Sequence, residues 1–298
     1  MTALAALGMS GCDGGNGRAP QDLDDVELGD ILLEQVSFQN HRGERIQALY
    51  AVPDRQGPMP AVIVLHGSGG LMDTPDRGEE AEMGPQFEDW AALLYREGYA
   101  VLMPDSFVSR GFYEWSDAPS NLDNRERLIM RVYDAHAALA FACRQDEIDC
   151  DRVAVMGFSN GGSVAAFSVH ERLNDLEPLA RLPALEDRPS FALSIPYYPG
   201  CGFDGLLSTK IDDPAELYRP TTRVYVQHGD NDRLFDNCED RLAQTEFWAA
   251  TEGLAENPFK MYVYDAGHSF DSNPGSSRER AARLDARALT LSILADKL

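Results

Sequence analysis

With 298 residues, 44% of them hydrophobic, the chain can bury one large core or two small ones. Its 26 basic residues against 49 acidic ones leave a formal charge of −23 and a pI near 4.5. Such a balance excludes nucleic acid and anionic membrane surfaces as main partners, and it reads as a device for solubility.

The chain opens on an apolar, uncharged stretch, Thr2 to Gly11, ending on small residues directly before Cys12. A polar, glycine-rich segment follows from Asp13 to Arg18. This resembles the end of a bacterial lipoprotein signal, in which the cysteine becomes the lipidated first residue. That resemblance implies export to the bacterial cell envelope or periplasm, with a lipid anchor as the one membrane contact. A cytoplasmic enzyme with an unstructured start is the alternative. Residues 1–30 are therefore expected to be a signal-like segment and linker, and 31–298 a single domain.

Alternating apolar residues over Ile31–Phe38 and Arg45–Val52 predict an antiparallel hairpin. The unbroken run Ala61–Leu65 predicts a strand covered on both faces, and it ends in His66-Gly67-Ser68-Gly69-Gly70. Glycines beside a strand end allow backbone N–H groups to face a ligand, as an oxyanion site requires. Pro85–Glu97 has helical spacing, Tyr99–Pro104 reads as a buried strand, and Leu122–Arg144 as a long amphipathic helix. Further strands are expected at Ser190–Pro196, Val224–His228 and Phe259–Tyr264, with helices at Phe235–Gly253 and Ser276–Leu298. Strands alternating with helices predict an α/β fold, a mainly parallel sheet with helices on both faces in three layers. The polar, acidic segment Leu71–Gln86 is a candidate rim or lid.

Between these elements lies Val153-Ala154-Val155-Met156-Gly157-Phe158-Ser159-Asn160-Gly161-Gly162. A buried strand, Gly-x-Ser-x-Gly and a small-residue helix make a nucleophile elbow, with the Ser159 hydroxyl held above the sheet edge. A serine hydroxyl needs a base, and the base an orienting carboxylate. Of the three histidines downstream, His170, His228 and His268, only His268 sits in a loop after a strand and before the closing helix. Gly229-Asp230-Asn231-Asp232 follows the preceding strand, and Asp232 is the better placed acid, with Asp230 bracing the turn. A calcium loop at Asp230 and Asp232 is excluded, because the Gly and Glu such a loop needs are missing at their offsets.

These residues resemble the dienelactone hydrolase family of α/β-hydrolases from about Val36 to the C-terminus. The likeness rests on Leu65–Gly70, on Pro104-Asp105-Ser106-Phe107 with Arg110-Gly111, on Gly157–Gly162, on Gly229–Asp232 and on Gly267-His268-Ser269-Phe270. The resemblance implies oxyanion donors at the amides of Ser68 and Asn160, and a small-molecule ester or lactone as substrate, with neither metal nor cofactor. The name-giving enzymes use a Cys nucleophile and carry a Gln-Glu pair after the first core strand. Ser159 and His66-Gly67 stand at those places here, which moves the expectation to a serine esterase. Arg110, with Tyr113 and Trp115 nearby, is a candidate to line the pocket and to pair with a substrate carboxylate.

Four cysteines remain besides Cys12, and they allow three pairings. Cys143–Cys150 would form a local clip before the elbow strand, and Cys201–Cys238 would staple two loops of the catalytic edge. Unpaired thiols in a cytoplasmic enzyme are the alternative, and no Cys or His spacing suggests zinc. Rival functions are an exported acetyl- or feruloyl-esterase acting on polysaccharide, a peptidase of the prolyl-oligopeptidase type, and a catalytically silent binding lipoprotein.

Overall fold

The computed structural model describes residues 23–75, 80–176, 179–207 and 217–298. Its strands are β1 (Val26–Leu28), β2 (Ile31–Gln39), β3 (Arg45–Ala51), β4 (Met59–Leu65), β5 (Ala100–Asp105), β6 (Ile148–Phe158), β7 (Leu193–Tyr197), β8 (Arg223–Gly229) and β9 (Phe259–Tyr264). They form one sheet in the order β1-β2-β3-β5-β4-β6-β7-β8-β9. The first three strands and the β3–β5 contact are antiparallel, and every pairing from β5 through β4 to β9 is parallel.

Among the described residues, five helices of at least two turns cover the sheet: α1 (Pro85–Arg96), α2 (Asn124–Ala142), α3 (Asn160–Phe167), α4 (Phe235–Glu252) and α5 (Ser277–Lys297). The two-residue period of a strand divides the core between the faces. Ala61, Ile63 and Leu65 join the cluster with α2, α3 and α4, while Val62 and Val64 join the one with α1 and α5. The continuous apolar run of β4 is thus explained by burial on both sides.

Two features differ from the sequence expectation. The sheet starts before residue 31: Val26–Leu28 pairs with Ile31–Leu33 across a turn in which Gly29 has φ 67°, and the N–H of buried Leu23 donates to Gln47. Three residues in a polar stretch carry too little periodicity to read as a strand. Helix α2 is also less amphipathic than expected, since Leu128 to Leu139 is buried throughout, including Arg131, Asp134 and His136.

Both expected disulfides are present, Cys143–Cys150 and Cys201–Cys238. Leu71 and Met72 are buried and Met72 bridges Met83, so the described ends of the 71–86 segment are pinned to the body. Cys12 lies outside the described residues, and among those described no helix is long and apolar enough to cross a membrane.

Candidate active site

The parallel register brings the carboxyl ends of the strands to one rim: Leu65 pairs with Gly157, Phe158 with Tyr197, and Gly229 with Tyr264. Order reverses around β4, the place where sheets of this kind open a crevice. Ser159 stands there between β6 and α3 with φ 51° and ψ −114°, a conformation that costs a non-glycine residue roughly 1–3 kcal/mol. Its N–H donates to Tyr197 O at 2.9 Å, which helps to hold the turn. Neighbouring backbone leaves no room for side chains. A Cβ on Gly157 would lie 2.2 Å from Gly161 O, and one on Gly161 would lie 2.3 Å from the carbonyls of Leu65 and His66.

The loops after β8 and β9 bring Asp232 and His268 to the serine. Oγ of Ser159 is 2.8 Å from Nε2 of His268, and Nδ1 of His268 is 2.6 Å from Oδ2 of Asp232. A carboxylate only accepts, so Nδ1 carries the proton, and Nε2 of the neutral ring is left free to accept the serine proton. Asp232 is buried, and its Oδ1 accepts the N–H of Leu234. Burial works to raise its pKa, but the hydrogen bonds from His268 and Leu234 outweigh it and hold the carboxyl below its ordinary value. His170 is occupied elsewhere, its Nδ1 facing Arg219 O, and Asp230 accepts from Asn231 in the turn as expected.

The histidine loop is anchored by a residue that no sequence pattern singled out. Buried Asp271 accepts from Trp90 Nε1, Gln86 Nε2 and Arg287 Nε at 2.9, 2.8 and 2.7 Å. Tyr198, with φ 36°, turns its ring edge-on to His268 at 5.1 Å, and its hydroxyl accepts from Gln86. Only the position of Tyr198 at a strand end hinted at this role.

On the opposite wall, Asn160 is the first residue of α3, so its N–H has no acceptor within the helix. In the 66–70 loop, Gly67 O accepts from His66 Nδ1 at 2.8 Å and from Gly70 N at 3.3 Å. That fixes the Gly67–Ser68 peptide and turns the Ser68 N–H to the other side. Ser68 O in turn accepts the N–H of Trp115 at 2.7 Å. His66 Nε2 must accept from Ser106 N–H, so the ring is neutral; burial holds its pKa well below the usual value.

Behind this wall lies buried Arg131. Its Nη1 donates to Asn160 Oδ1 and its Nη2 to His66 O, while its plane stands over Phe107 at 5.1 Å. Burial brings its pKa down to about 10 despite Asp134 and Asp105 nearby, so it stays charged at neutral pH. Burial likewise pushes Asp105 up to about 6.

Arg110, the candidate for pairing with a substrate carboxylate, has partners within the protein. Its terminal nitrogens donate to Asp134, Glu44 and Ser106 O at 2.7–2.9 Å, which uses all four of their protons within the protein. These carboxylates lie on α2 and beside the β2–β3 turn, far from Arg110 in sequence, so no local pattern revealed them. Tyr113 does meet the glycine loop: a Cβ on Gly70 would lie 2.2 Å from Tyr113 O.

The profile of the dienelactone hydrolase family matches residues 46–298. The chain belongs to that family. A carboxymethylenebutenolidase of Pseudomonas sp. (strain P51) is 27% identical over 271 residues, 88% of this chain and 95% of that protein. The protein YtaP of Bacillus subtilis (strain 168) is 26% identical over 151 residues, 47% of this chain and 48% of that protein. Among solved structures, a dienelactone hydrolase-like promiscuous phosphotriesterase from metagenomic libraries superposes with a TM-score of 0.63 at 17% identity, covering 90% of this chain and 99% of that one. Esterase 2 of Thermogutta terrifontis, phosphorylated by paraoxon, gives 0.63 at 14% identity, covering 91% and 95%. These likenesses establish the α/β-hydrolase fold. As a member of the dienelactone hydrolase family, the chain is a carboxylic ester hydrolase.

Proposed function

We propose that the protein cleaves carboxylic esters or lactones through an acyl-enzyme on Ser159. The continuous path from Ser159 Oγ through His268 to Asp232, in steps of 2.8 and 2.6 Å, carries this reading. Oγ attacks the carbonyl carbon as its proton passes to Nε2 of His268, and the carbonyl π electrons move onto oxygen. The amides of Ser68 and Asn160 receive that oxyanion, each donor contributing about 3 kcal/mol to the transition state. On collapse the C–O bond to the leaving group breaks, and the alkoxide takes the proton from Nε2. Water then repeats the sequence with His268 as base and releases the acid. Asp232 holds the imidazole in the required tautomer and stabilises its charge. A serine nucleophile, in place of cysteine, favours simple esters over dienelactone, and Tyr113 and Trp115 would line the acyl side.

Ser159→Ala and His268→Ala are each expected to abolish hydrolysis of short p-nitrophenyl esters with thermal melting nearly unchanged. Mass spectrometry of the wild type during turnover should find one acyl group on the Ser159 peptide. Turnover persisting in both variants would move the chemistry elsewhere in the protein.

Export belongs to the same proposal, because two disulfides suit an oxidising compartment. Radioactive palmitate should label the chain in a bacterial host, and Cys12→Ala should remove the label. Wild-type chain without label would end the lipid-anchor reading.

A further inference from the structure

We infer that Arg131 is the positioning residue of the oxyanion site, setting both donor loops with one guanidinium. The inference rests on the serine-hydrolase reading above and assigns a task to a residue outside the three reacting side chains.

The two proposed donors lie on separate loops, Ser68 after β4 and Asn160 at the start of α3, and catalysis requires them to converge on one oxygen. Gly161 lets the loops touch, since its Cα sits against the carbonyls of Leu65 and His66. Contact alone leaves them free to slide. Arg131 spans the joint, with Nη1 on the side chain of Asn160 and Nη2 on the carbonyl of His66. On one side it pins the residue whose amide is the elbow donor. On the other it pins His66, whose Nδ1 holds Gly67 O and thereby orients the Ser68 N–H. The fork is planar and rigid, so the spacing of its two nitrogens fixes the spacing of the loops.

A buried guanidinium whose two hydrogen-bond acceptors are neutral is an expensive tie that Asp134 and Asp105 nearby offset only in part, and its Nε has no hydrogen-bond partner. A neutral amide would make a tie without that cost. The charge has a use when an adjacent oxygen becomes negative, because a fixed cation in a dry site stabilises the oxyanion more than the neutral ester. Arg131 thus favours the transition state over the ground state.

The test compares Arg131→Lys, Arg131→Met, Asn160→Ala and the double variant Arg131→Met/Asn160→Ala, with active sites counted by the p-nitrophenol burst. Asn160→Ala keeps the backbone donor and removes only the tie. Per active site, kcat should fall about 10-fold in Arg131→Lys and about 100-fold in Arg131→Met, with KM within about 3-fold. A trifluoromethyl ketone, which forms an oxyanion on the serine, should lose affinity in parallel with kcat/KM, whereas a merely structural role would lower only the count of active sites. The double variant should be no slower than about 3-fold below Arg131→Met, because the two groups act as one tie. Full kcat in Arg131→Lys, or independent multiplication in the double variant, overturns the inference. If Arg131→Met fails to fold, Arg131→Lys still decides it. Ser159→Ala run alongside separates the levels: turnover in that variant removes the hydrolase reading itself, whereas its silence with Arg131→Lys at full rate removes only the role of Arg131.

Discussion

Oδ2 of Asp232 lies 2.6 Å from Nδ1 of His268 and 3.8 Å from Nδ1 of a second imidazole, His228. The two rings are not equivalent. His228 is buried between the carbonyls of Gly229 and Pro199, and that burial holds its pKa below the usual value, so it stays neutral. His268 is part exposed and faces Ser159.

Asp232→Asn should therefore lower kcat by about 10³- to 10⁴-fold with little change in KM, since a carboxamide NH₂ facing Nδ1 favours the wrong tautomer. Steady-state hydrolysis of a p-nitrophenyl ester measures it. A loss below about 10-fold would mean that His228 or another group orients the base.

Arg110 gives a contrasting case. Removing it takes two hydrogen bonds from Asp134, whose side chain is 1% exposed and which, among the described residues, keeps Asn40 as a side-chain donor and Arg131 as a nearby cation. Arg110→Met should cost about 3–5 kcal/mol by urea unfolding, the usual cost of stranding one partner of a buried pair. The ratio of kcat/KM for an ester bearing a free carboxylate to that for its neutral analogue should not move. Lost preference for the acidic ester at unchanged stability would restore a substrate-pairing role.

Ser159, His268 and Asp232 were legible in the sequence because each follows an apolar strand, and parallel strands deliver their ends to one rim. Its place in a loop after a strand and before the closing helix then separated His268 from His170 and His228. Arg110 and Arg131 were not legible, because their roles depend on partners brought close by packing: Glu44 and Asp134 for one, Asn160 and His66 for the other. Periodicity predicts which face of α2 is apolar, but it is silent on a polar side chain turned inward. Val26–Leu28 escaped for the opposite reason, being too short for any period to register.

The elbow glycine Gly161 differs from the loop glycine Gly202 in a measurable way. Gly161→Ala places a methyl 2.3 Å from two carbonyl oxygens that cannot retreat without parting β4 from α3. At Gly202, with φ −69°, the nearest atom to a new Cβ is 3.6 Å away on the Asn237 side chain. Gly161→Ala should cost several kcal/mol, about 3 or more, or yield insoluble protein, while Gly202→Ala stays within about 0.5 kcal/mol. Equal melting temperatures for the two variants would contradict the packing of the elbow described above.

Acid should destabilise the fold from about pH 6.5 downward, through its buried histidines. Burial pushes His136 down to about 3 and His170 down to about 4, from an ordinary 6.5, and lowers His66 and His228 as well. Below pH 6.5 the unfolded chain protonates these imidazoles and the folded chain does not, so stability falls as pH drops until the folded pKa values are reached. Asp105 acts in the opposite sense: raised to about 6 from 3.8, it is protonated in the fold between those values and ionised in the unfolded chain. The two most clearly lowered histidines, His136 and His170, against Asp105 alone leave a net uptake of at least about one proton on unfolding near pH 5, a slope of at least about 1.4 kcal/mol per pH unit, to which His66 and His228 add. Urea unfolding from about pH 7 to about pH 4.5 should show the midpoint falling with an unchanged m-value. A midpoint that stays level or rises over that range would mean that the buried imidazoles carry protons in the folded protein.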